Sequence, residues 1–206
     1  MKLKLITLGL LITFSCSLLA QEKQSLKKSI GFTFSTISSD VINSAGMTSL
    51  GGPSYSGKSA YTLGVSYIHP IRSWIDIESG VEYSNHTITV EPIHIPGFGR
   101  HPEYDKDISL INIPITARIN FLKYFFVNGG IMFDFEIGKS SPIKSQTGIG
   151  TILGVGAKYN LSNGLGTFIN GYYKSHSLIP FSADNGNDYR WRLIEGGLRI
   201  GITYNF

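Results

Sequence analysis

Three sets of side chains in this 206-residue chain have the types that chemistry needs. His86, His94 and His101 lie near Glu91, Glu103 and Asp105, and imidazole with carboxylate is a donor set that holds zinc. Their spacings of eight and seven residues, in a stretch rich in Pro and Gly, match no compact ligand motif, so the expectation is a solvated loop with no assigned metal. Ser84, His86, His176 and Asp184 supply hydroxyl, imidazole and carboxylate, which a small membrane protease or lipid acyltransferase would use. Any fold that gathers strand ends at one rim crowds such residues there, so none is assigned as catalytic. The third set is larger and of mixed sign: Asp76, Glu78, Glu82, Asp134, Glu136 and Glu195 against Arg118, Lys158, Lys174 and Arg199. Buried charges persist only when paired and hydrogen-bonded, which makes this set a structural network if one interior holds it. The Gly-rich stretches GIGTILGVGAK and SLGGPSYSGK resemble phosphate loops only superficially. Neither leads into a helical pattern, so no cofactor is expected.

The elements that must position these residues are strands. The chain has 24 Gly, 11 Tyr and 12 Phe, a balance that weakens helices and suits strands joined by turns. In DISLINIPITARINF, Ile111, Ile113, Ile115, Ala117, Ile119 and Phe121 share one face, and Asn112, Pro114, Thr116, Arg118 and Asn120 share the other. The same period of two places strands at Ile30 to Ile37, Ser59 to His69, Trp74 to His86, Ile108 to Phe121, Tyr124 to Ile137, Gly150 to Leu161, Leu165 to His176 and Ile194 to Phe206. Phe168 and Tyr172 fall on the polar side of the seventh. Tight connections at residues 70–72, 122–123 and 162–164 alternate with long polar ones near 38–58, 87–106, 138–148 and 177–188.

The first twenty residues, MKLKLITLGLLITFSCSLLA, have the layout of a cleaved secretory signal: Lys2 and Lys4, then an apolar run ending at small Ala20. Residues 21–28 are then expected to form a short periplasmic N-terminal segment before the barrel, which spans 29–206. Removing Lys2 and Lys4 from 18 basic residues leaves 16 against 14 acidic ones, so the net charge of +4 falls to +2 and gives no basic patch for nucleic acid. Cys16, the one cysteine, lies inside the signal, which leaves no thiol or disulfide chemistry.

Two-faced strands with short turns at one end and long loops at the other form an up-and-down meander that can close. The expected fold is all-β: an eight-stranded antiparallel up-and-down transmembrane β-barrel with a polar lumen filled by side chains. Ile113 and Ile200 would then face lipid and Arg118 and Arg199 the lumen, with Arg118 paired to Glu78 or Glu136. Aromatic belts can be drawn at both ends, from Tyr67, Trp74 and Tyr124 to Tyr61, Tyr83 and Tyr173. Alternation alone leaves open a secreted lipocalin-like barrel that turns its oily face inward around an apolar ligand. A rim enzyme using His86 and His176 is the third reading.

INIPITARINF, GTILGVGAKYNL and the GGLRIGITYNF ending together resemble the PorT-like outer-membrane β-barrel proteins of Bacteroidota. The resemblance implies the fold and outer-membrane lipid as surroundings; the expectation of a non-enzymatic barrel with a structural or surface and envelope-interaction role comes from the charge-filled lumen beneath loops rich in Ser, Gly, Pro and Tyr. One branch of that family serves protein secretion, which implies envelope or secretion proteins as partners. Tyr204 and terminal Phe206 resemble the carboxy-terminal signal read by the barrel-assembly machinery. The segment TFINGYYKSHSL, with Asn170 and Tyr172, departs from the family's acidic-then-basic pattern, so no branch-specific role is carried over.

Overall fold

The computed structural model describes residues 26–43, 53–92, 101–138, 142–182 and 191–206. The leader, Cys16, His94 and Asp184 lie outside these residues. Eight strands follow one another: β1 (Ser29–Asn43), β2 (Ser54–Arg72), β3 (Ile75–Glu91), β4 (Tyr104–Phe121), β5 (Phe125–Ile137), β6 (Gly148–Asn160), β7 (Leu165–Pro180) and β8 (Trp191–Asn205). Each pairs antiparallel with the next, and β1 pairs with β8 from Ser29↔Asn205 to Asn43↔Trp191, so the sheet closes into a barrel. Closure leaves no strand edge unpaired, which a lipid solvent demands. The short turn from β4 to β5 runs through Leu122, Lys123 and Tyr124, with Leu122 and Lys123 at positive φ (50° and 63°).

Which face points inward is settled by burial. On β3, Asp76, Glu78, Glu82 and Ser84 are buried inside while Ile77, Val81 and Tyr83 are exposed outside. On β8, Glu195, Arg199 and Thr203 are inside while Leu198, Ile200, Ile202 and Tyr204 are outside. An exposed apolar face this continuous has lipid as its natural solvent. A lipocalin would place these residues inside, so that reading fails.

Toward the long-loop end the polarity inverts. Beyond Tyr83 the outward residues of β3 are Asn85, Thr87 and Thr89, and the buried ones pass from Ser84 and His86 to Ile88 and Val90. On β4 the outward residues change from Ile111 to Ser109, Asp107 and Asp105, while Leu110 and Ile108 are buried. Val41, Ile88, Ile108, Leu110, Ile143 and Leu193 pack together there, with Tyr55 and Trp191 against them, as an apolar plug. Outside it, Thr87 donates to Asp107, and Thr89 and Lys58 donate to Asp105 (2.8, 2.8 and 2.6 Å). The bond from Lys58 holds the Asp105 carboxyl below its ordinary range, and Asp105 in turn raises Lys58.

This inversion corrects the expected strand ends. β1 runs to Asn43 rather than Ile37, β3 to Glu91 rather than His86, and β2 and β4 start at Ser54 and Tyr104 rather than Ser59 and Ile108. The long loops are therefore shorter than expected. Where the solvent outside changes from lipid to water, the outer face turns polar and the inner face apolar. Alternation continues in the opposite phase, and a scan for one phase stops at the change.

Candidate functional site

The lumen of the barrel holds its titratable side chains in an ordered ladder. At the tight-turn end, Asn120 donates to Asp76 (2.7 Å) and Lys158 donates to Asn120 (2.6 Å). Above them Arg118 of β4 donates to Glu78 of β3 (2.6 Å), and Arg199 of β8 reaches both Glu78 (3.2 Å) and Glu82 (3.3 Å). Lys174 of β7 then bridges Glu82 (2.7 Å) and Glu195 (3.0 Å). All of these from Glu78 to Glu195 are buried. In an eight-membered ring β3 and β7 are opposite, so the Glu82–Lys174 pair crosses the full width of the lumen. Charges that meet across the diameter fill the space a channel would need.

Arginine is also held by rings. The Arg118 guanidinium carbon lies 4.2 Å from the Phe126 ring centre and 5.0 Å from that of Phe168, and Arg199 lies 5.4 Å from Phe168. Aromatic faces stabilise desolvated cations, which explains why Phe168 sits among polar neighbours. Tyr172, the other aromatic on this side of β7, donates to Ser35 (3.1 Å) and lies 5.2 Å from the Lys174 ammonium. Two inward glycines make room, since a Cβ on Gly201 would collide with Phe168 and one on Gly156 with Phe126. Gly201→Ala is therefore expected to lower stability by about 1–3 kcal/mol, as overpacking does. Urea unfolding in lipid vesicles measures it, and an unchanged midpoint would show that the ring moves freely.

The top of the ladder joins two histidines. His86 of β3 and His176 of β7 are both fully buried, with ring centres 5.5 Å apart. Their Nε2 atoms face the same Glu195 Oε2 at 3.5 and 3.6 Å. Nδ1 of His176 faces Asp134 Oδ1 at 3.2 Å, and Asp134 Oδ2 accepts from the Ser177 backbone N–H at 3.0 Å. β7 is irregular here: Ser177 has a φ of 44°, and Lys174, Ser175, His176 and Ser177 are all buried. The kink aims the Ser177 N–H inward beside the His176 ring, which plain alternation would not do.

Of the ten charges assigned to the lumen, Glu78, Glu82, Arg118, Lys174, Glu195 and Arg199 form one connected ladder, which His176 extends to Asp134, while Asp76 and Lys158 share Asn120. Glu136 does not pair with Arg118. It sits higher on β5, where its carboxylate accepts from the Gln146 backbone N–H (2.6 Å) as the segment 142–147 folds over the opening. Gln146, absent from the sequence reading, is fully buried and pins that segment to β8 by donating to Trp191 O (3.0 Å) and accepting from Leu193 N (3.0 Å). His86 does not join His101, Glu91, Glu103 or Asp105, because these four are exposed and His86 points inward. His86 and His176 do meet, beneath the apolar plug rather than on an open rim. Tyr204 and Phe206 face outward and are exposed, with the Phe206 N–H donating to Lys28 O (2.9 Å).

No family model and no curated protein matches this sequence. Among solved structures the chain is similar to the outer membrane protein OprG from Pseudomonas aeruginosa, at 14% identity and a TM-score of 0.56, covering 90% of this chain and 98% of that one. The fold is that of an outer-membrane β-barrel. Lower scores relate it to the outer membrane protein AlkL (15% identity, 85% and 90% covered, TM-score 0.42) and to the outer membrane protease OmpT from Escherichia coli (10%, 90% and 100%, 0.45).

Proposed function

We propose that this chain is a non-enzymatic integral outer-membrane protein, exported by its N-terminal leader, whose lipid-embedded barrel carries a water-exposed extension for contacts at the cell surface or within the envelope. The observation that carries this reading is the inversion of polarity along β3 and β4, from oily outside and charged inside to polar outside and apolar inside. From Ile111 to Phe121 the oily face of β4 advances ten residue steps, about 25 Å of height at a rise of about 3.3 Å per residue and a tilt near 40°. That matches the apolar band of outer-membrane barrels. The solved outer membrane protein of similar fold supports the location. The motifs INIPITARINF and GGLRIGITYNF favour the PorT-like barrels of Bacteroidota as its relatives, with the barrel-assembly machinery as a partner in biogenesis through Tyr204 and Phe206.

The ladder of paired charges and the plug above it argue for a closed barrel, and burial of His86 and His176 keeps them from a surface substrate. Expression of the full chain followed by cell fractionation tests the assignment. The expected result is recovery with the outer membrane as a band whose gel mobility changes on heating, and no large stable conductance in planar bilayers. Recovery in a soluble fraction without detergent would overturn the location, and porin-sized conductance would overturn the closed lumen.

A further inference from the structure

The cluster at the top of the ladder has more donor atoms than the protein itself can satisfy. Neither ring nitrogen of His86 makes a hydrogen bond, although the residue is fully buried. An unsatisfied polar group in such a place costs free energy, which a bound partner would recover. Charge points the same way. The buried carboxylates Asp76, Glu78, Glu82, Asp134 and Glu195 outnumber the buried cations Arg118, Lys174 and Arg199 among the described residues.

We propose that His86, His176 and Glu195 form a binding site for one zinc-class divalent metal ion, sealed inside the barrel between the charge ladder and the apolar plug. One donor atom from each of the three residues lies within 4.8 Å of the other two. A tetrahedral zinc ion with ligands at about 2.0–2.1 Å holds its donors about 3.3–3.5 Å apart. Glu195 Oε2 stands 3.5 Å from His86 Nε2 and 3.6 Å from His176 Nε2, close to that spacing before any ion draws them in.

The surroundings are those of a metal site as well. Asp134 Oδ1 lies 3.2 Å from Nδ1 of His176, the ring nitrogen away from the proposed ion, where a carboxylate orients a metal-binding imidazole and leaves Nε2 for the metal. Asp134 is in turn fixed by the Ser177 N–H. Lys174 engages only the other oxygen of Glu195, Oε1, and so orients the carboxylate without occupying the donor atom. Ile88 and Leu193, each two residues beyond a proposed ligand on the same inward face, close the site on the loop side. Imidazole and carboxylate donors favour zinc and its first-row neighbours over magnesium or calcium, which prefer oxygen alone. Three protein ligands leave a fourth position for water or hydroxide.

Because the site is sealed, the test refolds the full chain in detergent with Co²⁺ or Zn²⁺ present. The expected result is one Co²⁺ per folded barrel, with the intense visible absorption of a tetrahedral site, lost when Zn²⁺ replaces it. His86→Leu removes a donor but breaks no hydrogen bond, so it should still give the heat-modifiable band while losing the Co²⁺ spectrum. Asp134→Asn should weaken binding about 10–100-fold, as loss of an outer carboxylate does elsewhere. Folded wild-type protein that takes up no metal would overturn the site. So would uptake that is equal in His86→Leu, which would place the ion on histidines outside the lumen, such as half-buried His69 or exposed His101.

Discussion

Glu78→Ala should be among the most damaging single changes in this barrel, lowering its stability by about 3–5 kcal/mol, as removal of one partner from a buried ion pair does. Glu78 accepts from Arg118 at 2.6 Å and faces Arg199 at 3.2 Å, and all three are almost fully buried. Arg199 retains Glu82, but Arg118 has no other carboxylate partner among the described residues and would keep only the faces of Phe126 and Phe168. The loss therefore comes mainly from one stranded guanidinium. Combining Glu78→Ala with Arg118→Met removes that charge and should restore most of the stability. Urea unfolding in lipid vesicles compares the single and double variants. If Glu78→Ala unfolds at the wild-type midpoint, the lumen is wetter than its geometry indicates.

The second large effect is on the outer wall and depends on depth. Ile115 lies midway along the oily face of β4, and Ile200 lies within that of β8. Arginine near the bilayer midplane costs about 2–4 kcal/mol, and near the interface about 0–1. Ile115→Arg and Ile200→Arg should each impair insertion strongly, whereas Thr89→Arg, outward but beyond Tyr83, should fold almost like wild type. Folding yield from the heat-modifiable band and unfolding in vesicles give the comparison. Equal behaviour of all three variants would mean that the oily face does not meet lipid.

Period-two alternation in β4 and β8 was enough to separate an oily face from a polar one, and eight such segments with alternating turn lengths implied an up-and-down meander. These features are local, since neighbouring side chains on a strand point to opposite faces whatever the strand packs against. Alternation is blind to which side is the inside. Ile200 outward and Arg199 inward became certain only once β1 closed onto β8 and gave the sheet a lumen. Strand ends were hidden for a related reason: Thr87, Ile88, Thr89 and Val90 alternate correctly but in the reverse phase, because water has replaced lipid outside. Charge partners are set by distances across the ring, which no sequence spacing encodes. Arg118 meets Glu78 rather than Glu136, Lys174 reaches Glu82 ninety-two positions away, and His86, His176 and Glu195 converge from three strands. The residue types that fill the lumen are thus written along the chain, whereas their pairing follows from barrel closure and from the kink at Ser177 that carries its N–H to Asp134.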